Sequence, residues 1–182
     1  MIDQSRVEGI IRELLIALGQ DLERDDLKET PSRVARMYIE QCTELPCELK
    51  VFHDRYDELV IVRDIPVTSF CAHHLLPWFG YASVGYLPSK NVVGISKLAR
   101  LVHTCCRGFT IQEEVTRKIA DTLYGELAPK GCAVVIKAFH TCMNLRGAKC
   151  VDASTVTSSV RGALRDVSSL RYEFLSLIGG ER

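Results

Sequence analysis

The 182-residue sequence has no excess charge of either sign, because 23 basic residues balance 23 acidic ones. A protein that binds nucleic acid nonspecifically is expected to carry a basic excess, so no nucleic-acid partner is expected here. A local basic pocket for a small anion stays compatible with this balance. No apolar run approaches the roughly 20 residues that a membrane-spanning helix needs, so no membrane partner is expected either.

The first residues also lack the basic start and apolar centre of a secretory signal peptide. We therefore expect a cytoplasmic protein. Eight cysteines are present, but a chain of this length with 47% hydrophobic residues can build a core without disulfides. In a reducing compartment, cysteines are more often buried, metal-bound or catalytic, and we expect most of these eight to lie in the core.

Two helical patterns occupy the first part of the sequence, before a change of composition. Apolar residues recur at helical spacing over residues 7–18, and Thr30 is the predicted N-cap of a second helix. Strand-like segments follow, together with further helices, the longest of them over Gln112–Leu127. This order predicts an α+β fold with an antiparallel sheet. The predicted organisation is an N-terminal helical region over residues 1–55 and a single structural unit over residues 56–182.

Two short clusters bring thiols and imidazoles to the ends of predicted strands. The first is Cys71-Ala72-His73-His74, and the second is His140-Thr141-Cys142. Two thiolates and one imidazole can hold a zinc ion and leave a fourth position open, which is typical of catalytic zinc sites. Spacing does not decide which histidines are ligands, since His73 or His140 can act as a ligand or as a proton donor.

Two alternatives to an open metal site follow from the residues alone. In the first, Cys71 and Cys142 are ordinary core thiols and the neighbouring histidines have no chemical role. In the second, Cys132 or Cys150 supplies a further thiolate and completes a closed, purely structural zinc site.

Further segments, in matching order and spacing, resemble the GTP cyclohydrolase I family. The similarity runs from about residue 27 to residue 178, on the segments 29–33, 71–77, 94–100, 112–113, 140–143, 146–147 and 155–158. It implies the family's reaction in pterin biosynthesis, in which GTP is converted into 7,8-dihydroneopterin triphosphate. It also implies the tunnelling fold, with helices on one face of an antiparallel sheet, and a homodecamer whose sheets join into barrels with active sites between subunits.

The resemblance assigns roles to individual residues. It implies that Zn²⁺ is held by Cys71, His74 and Cys142, and that His73 and His140 are the catalytic histidines. The substrate-binding residues that it implies are Gln112 and Glu113 at the guanine edge, and Ser96, Lys97, Arg100 and Arg146 around the triphosphate. Elementary chemistry supports these roles, because a carboxylate accepts from the guanine N1–H and amine, and a helix start with nearby cations attracts phosphate. Ser96 is also the predicted cap of a helix.

The sequence departs from the family's pattern at three places. Ala72 stands where the family has Glu, Glu114 stands where it has Arg, and residues 107–110 lack an Arg and a Gln. In one interpretation these positions have drifted and the ordinary reaction is kept. In another, the chain is a divergent paralogue that uses another guanine nucleotide or forms a different product. A third interpretation is a non-catalytic oligomeric homologue that keeps zinc for structure.

Overall fold

The computed structural model describes residues 2–179, which form two compact units, one up to Glu44 and one from Leu45 onward. Every residue that the sequence singles out for chemistry lies in the second unit. The predicted division into a helical region over residues 1–55 and a single structural unit over residues 56–182 stays a prediction. Among the described residues, none of the helices combines the length and the apolar character that crossing a bilayer requires.

The first unit contains the two predicted helices, α1 (Gln4–Ala17) and α2 (Thr30–Cys42). The side chain of Asp3 caps α1 by accepting a hydrogen bond from a backbone amide of the first turn at 3.0 Å. The prediction that Thr30 is the N-cap of α2 is wrong by one residue, since Glu29 occupies that position. Glu29 also forms an ion pair of 2.7 Å with Arg33, one turn further along.

The described part of the second unit contains seven strands and five helices. The strands are β1 (Val51–His53), β2 (Val60–Cys71), β3 (Pro77–Leu87), β4 (Asn91–Val93), β5 (Phe109–Thr110), β6 (Gly131–His140) and β7 (Thr155–Gly162). The helices are α3 (Ile95–Cys105), α4 (Gln112–Leu127), α5 (Thr141–Leu145), α6 (Ala163–Asp166) and α7 (Ser168–Gly179). Helix α4 begins and ends where its apolar spacing predicts.

Five strands form the central sheet in the order β5-β2-β3-β6-β7. Its long strands pair antiparallel, as predicted, and within residues 2–179 only the short pair of β2 with β5 is parallel. A separate two-stranded sheet pairs β1 with β4. The register of β2 on β3 shifts between Val62 and Ile65, a β-bulge in which Asp64 takes a φ of 59°.

The main core lies between the sheet and the helices α3 and α4. Alternate side chains of β6, among them Val134 and Ile136, are fully buried in it together with Leu98 and Ile119 of the helices. The fold is therefore the predicted α+β fold with a mainly antiparallel sheet, and α3 and α4 cover one of its faces. Helix α7 adds a contact on the opposite face, where Phe174 lies 2.8 Å from the position that a Cβ on Gly85 would take.

The start of α3 differs from the sequence prediction. Gly94 is the N-cap, so the prediction that Ser96 caps this helix is wrong. The reason is that Gly94 leaves β4 with an extended ψ of 124°, and helical geometry begins at Ile95. Ser96 still lies in the first turn, where backbone N–H groups have no intrahelical carbonyl partner.

The eight cysteines are all free thiols, and four of them are buried, namely Cys71, Cys105, Cys106 and Cys132. Three more are partly buried and Cys150 is exposed. The expectation that most cysteines lie in the core therefore holds for half of them.

Candidate metal centre and active site

The turn between β2 and β3 supplies one half of the metal cluster. The Cys71 amide donates to the carbonyl of Leu76 at 2.8 Å, and the Leu75 amide donates to the carbonyl of Cys71 at 2.9 Å. Leu75 takes a φ of 57°, which closes the turn tightly. As a result, Nδ1 of His73 and Nδ1 of His74 lie 3.9 and 3.7 Å from the Cys71 Sγ.

The end of β6 supplies the other half. Strand β6 pairs with β3 so that His140 stands opposite Trp78. The Thr141 hydroxyl donates to the Pro77 carbonyl at 2.6 Å and holds the start of α5 against β3. Cys142 therefore meets the β2–β3 turn, although about seventy residues of sequence separate the two halves.

Cys71, His74 and Cys142 form a group that could hold a metal ion, with their ligand atoms within 4.8 Å of one another. Zinc with tetrahedral bonds to sulfur and nitrogen sets those two ligands roughly 3.6 Å apart. The 3.7 Å between Cys71 Sγ and His74 Nδ1 agrees with this value. Burial and the adjacent Cys71 thiol raise the pKa of the Cys142 thiol, and a cation between the two sulfurs would reverse that effect.

The closed four-ligand alternative has no support in the described part of the chain. Cys132 lies at the far end of β6, and its thiol donates to the Ala120 carbonyl. Cys150 is exposed, and neither cysteine belongs to the candidate metal group of Cys71, His74 and Cys142. One position around such a metal is therefore left for water or substrate.

A cavity of about 160 Å³ opens beside the cluster. It is lined by Cys71, His73, His74, Thr110, Ile111, Gln112, Glu113, His140, Cys142, Met143 and Thr155. The exposed Glu113 lies in the first turn of α4, where the helix dipole favours a carboxylate. The fold thus brings the three candidate ligands, both candidate catalytic histidines and the guanine-anchoring candidate to one place.

The imidazole of His140 is held from two sides. Its Nε2 lies 2.8 Å from Oε1 of Gln112, and its ring stacks on Trp78 with centroids 5.6 Å apart. Burial lowers the pKa of His140, and the nearby carboxylate of Glu113 partly opposes this effect. The ring therefore favours its neutral form more than an exposed histidine does.

Gln112 is predicted to bind substrate, but its carboxamide forms hydrogen bonds with other groups of the protein. The residue is 1% exposed, and its Nε2 lies within hydrogen-bond distance of the Ile136 carbonyl, the Thr155 carbonyl and the Thr157 hydroxyl. The side chain joins α4 to β6 and β7 beneath the cavity.

The residues that are predicted to bind the triphosphate do not all lie near this cavity. Nη1 of Arg146 lies 2.7 Å from Nε2 of His74, which is one of the three candidate metal ligands. Ser96, Lys97 and Arg100 lie on α3 and do not line the cavity in the described chain. Of the positions at which the sequence departs from its family, Thr110 lines the cavity, whereas Ala72, Gly108 and Glu114 do not.

Sequence reasoning missed the stacking partner of His140. Trp78 is the only tryptophan in the chain and is fully buried. Its position in an alternating strand predicts burial, but the identity of its neighbour depends on the register of β3 against β6. The lining residues Ile111, Met143 and Thr155 have no reactive side chain that would mark them, although Met143 and Thr155 lie in segments that match the family.

Comparison with known proteins gives the same family as the motifs. The family model described as GTP cyclohydrolase I matches residues 7–179. A protein named GTP cyclohydrolase 1 from Pelotomaculum thermopropionicum is 47% identical, with 100% of each chain covered. Proteins of the same name from Thermobifida fusca and Streptomyces coelicolor are 45% and 48% identical, covering 100% and 97% of this chain and 91% and 90% of theirs. The chain therefore belongs to the GTP cyclohydrolase I family.

Proposed function

We propose that this site opens the imidazole ring of the guanine of GTP at C8, releases formate and yields 7,8-dihydroneopterin triphosphate. One observation carries the proposal: a thiol–imidazole metal group, two further histidines and a carboxylate share one cavity. Hydrolysis at C8 needs an activated water, a proton donor for the leaving nitrogen and an anchor for the base. The residues around the cavity can supply each of these.

Zinc is the proposed metal, held by Cys71, His74 and Cys142. When bound, it supplies Lewis-acid chemistry that makes water reactive near neutral pH. The two sulfur ligands favour zinc over magnesium or manganese, which prefer oxygen.

Glu113 is the proposed anchor of the guanine edge. Its carboxylate can accept hydrogen bonds from the N1–H and from the exocyclic amine of guanine. Adenine has an acceptor at N1, so it would face the carboxylate with the wrong group and leave it unpaired. The location of Glu113 on the cavity supports this role.

His140 and His73 are the proposed proton donors. His140 donates to N7 as the five-membered ring opens, and His73 assists proton transfer at the ribose ring oxygen before the sugar rearranges. Imidazole suits both steps because its pKa lies near the working pH. The burial that lowers the pKa of His140 makes its cation a stronger acid.

The triphosphate is proposed to bind Arg146 together with Ser96, Lys97 and Arg100. Because the last three lie on α3 and away from the cavity lining, we propose that a neighbouring subunit contributes them. The expected assembly is a homodecamer of two pentamers, whose sheets join into barrels. In the described residues β7 pairs on one side only, which supports a sheet that continues into a partner. The side chains of Phe79 and Tyr81 on β3 are exposed, which supports a partner that covers this part of the sheet.

We also propose a cytoplasmic location and a role in pterin or folate biosynthesis. The location is supported by the eight free thiols, which are typical of a reducing compartment. The role follows from the proposed product.

The test is incubation of the purified protein with GTP, followed by assay of formate and identification of the product by mass spectrometry and by fluorescence after oxidation. Formate together with the pterin triphosphate is the expected result, since among the positions that depart from the family Ala72, Gly108 and Glu114 do not line the cavity, and Thr110 does. Formate without a pterin would instead indicate a paralogue that stops early. Absence of both would indicate a non-catalytic homologue and overturn the proposal.

A further inference from the structure

A buried hydrogen-bond network behind His140 fixes which way the Gln112 carboxamide points. Its Nε2 lies 3.1 Å from the Ile136 carbonyl and 3.2 Å from the Thr155 carbonyl. Backbone carbonyls only accept hydrogen bonds, so the NH₂ end of the carboxamide must face them. The opposite orientation would set the Gln112 oxygen against two carbonyl oxygens.

Two threonines continue the network with the same polarity. The Thr116 hydroxyl donates to the backbone carbonyl of Gln112 at 2.8 Å, which uses its only hydrogen. Thr157 Oγ1 lies 2.6 Å from Thr116 Oγ1 and must therefore be the donor of that pair. The lone pairs of Thr157 are then available to the Gln112 NH₂ at 3.0 Å. Turning the Gln112 carboxamide over would take its NH₂ group away from these acceptors and leave a buried donor unpaired, which costs about 1–3 kcal/mol.

The orientation of Gln112 decides where His140 carries its hydrogen. The Gln112 Oε1 that faces His140 is an acceptor, so the Nε2 at 2.8 Å from it must be an N–H. In the neutral ring Nδ1 is then the unprotonated nitrogen, and the ring cation loses its proton from Nδ1. No other hydrogen bond of this ring is found within residues 2–179, and His140 is one of the residues that line the cavity.

We infer that Gln112 is a positioning residue that holds His140 in the Nε2–H form and leaves Nδ1 as the nitrogen that exchanges a proton with the substrate. This inference rests on the proposed function and narrows it. In the ring-opening step the Nδ1 proton moves to guanine N7, and His140 becomes the neutral Nε2–H imidazole. Gln112 then acts through His140, whereas its family resemblance implies contact with the substrate.

Steady-state kinetics separate these two roles. Gln112→Met keeps the length of the side chain but removes the hydrogen-bond acceptor for His140 Nε2. We expect kcat to fall about 10–100-fold, which is less than the full rate contribution of a general acid. KM for GTP should stay within about twofold, because the transition state loses more than the ground state. Thr157→Val should have a small effect, since two carbonyls still orient the carboxamide. Thr122→Val, on the same helix, is the control and should match the parent. A rise in KM with unchanged kcat would overturn the inference.

A spectroscopic measurement tests the hydrogen position without turnover. The metal-loaded protein is labelled with ring-¹⁵N histidine, and solid-state NMR distinguishes protonated from unprotonated ring nitrogens. The His140 signals are those lost in His140→Gln. The parent should show a protonated Nε2 and an unprotonated Nδ1, and Gln112→Met should lose this preference. A parent ring with hydrogen on Nδ1 alone would refute the inference even if GTP is turned over. A parent that has the expected tautomer but releases no formate would refute the proposed function instead.

Discussion

Trp78 and His140 face each other across β3 and β6, with ring centroids 5.6 Å apart and ring planes inclined by 21°. Trp78 is fully buried, so its ring is a fixed surface on which the imidazole lies. Stacking of this kind contributes about 0.5–1.5 kcal/mol. The stack limits the tilt of the His140 ring, while Gln112 limits its rotation, and the two contacts together orient Nδ1.

We expect the stack to contribute to turnover of GTP. Trp78→Leu should lower kcat by about 2–10-fold, the equivalent of the stacking energy. Trp78→Phe keeps an aromatic face and should retain more activity than the Leu variant. The measurement is kcat at saturating GTP, with thermal midpoints recorded for both variants because each removes buried volume. Equal losses in two variants of equal stability would argue against a role for the stack.

Cys142→Ser should lose the proposed zinc and activity together, because the hydroxyl is a poor ligand beside Cys71 and His74. Metal content by elemental analysis and formate release are the two measurements. Cys150→Ser is the matched control, since the exposed Cys150 lies outside the candidate metal group. The ligand assignment is wrong if the Cys142 variant keeps one metal per chain and the parent rate.

Glu113→Gln should lower kcat/KM for GTP by about 10–150-fold, the equivalent of about 1.5–3 kcal/mol for a hydrogen bond to a charged group. The neighbouring variant Glu114→Gln has the same chemistry but lies outside the cavity lining, so its effect should stay within about twofold. Initial rates over a range of GTP concentrations give both values. A larger loss in the Glu114 variant would move the guanine anchor to that residue.

Thiol labelling should separate core cysteines from the others. Burial raises the pKa of Cys106 and of Cys132 to about 12, so at pH 8 only roughly one molecule in ten thousand carries either thiolate. Iodoacetamide at this pH should leave both residues unmodified until the protein is unfolded, while the exposed Cys150 reacts first. Peptide mass spectrometry over time follows each site. Labelling of Cys106 as fast as Cys150 in the native protein would contradict this burial.

Two glycine-to-alanine changes should have opposite effects on stability. A Cβ on Gly80 would lie 2.1 Å from the Lys137 carbonyl oxygen, so Gly80→Ala must separate β3 from β6 and should lower the thermal midpoint. A Cβ on Gly125 meets nothing within 4 Å and lies inside α4. Gly125→Ala should therefore stabilise the protein by about 0.5–1 kcal/mol. A Gly80 variant that melts with the parent would contradict the close approach of these strands.

The chemistry of the site could be predicted from the sequence to a large extent. The clusters at residues 71–74 and 140–142 show that thiols and imidazoles occur at strand ends, and the apolar spacing of α4 predicts its full length. Short-range signals of this kind depend on residue type and on local periodicity. The start of α3 was predicted two residues late, because Ser96 has the chemistry of a cap but the chain leaves β4 at Gly94.

The sequence by itself determined the family, the metal-binding residue types and the amphipathic elements, since these follow from side-chain chemistry and local spacing. Only the tertiary structure decided that Gln112 supports His140, that Trp78 lies beneath it, and that Ser96, Lys97 and Arg100 lie away from the cavity lining. The physical reason is that strand register and buried hydrogen bonds join residues far apart in the chain. Partners of that kind are selected by the packing of the whole sheet, and no local pattern records them.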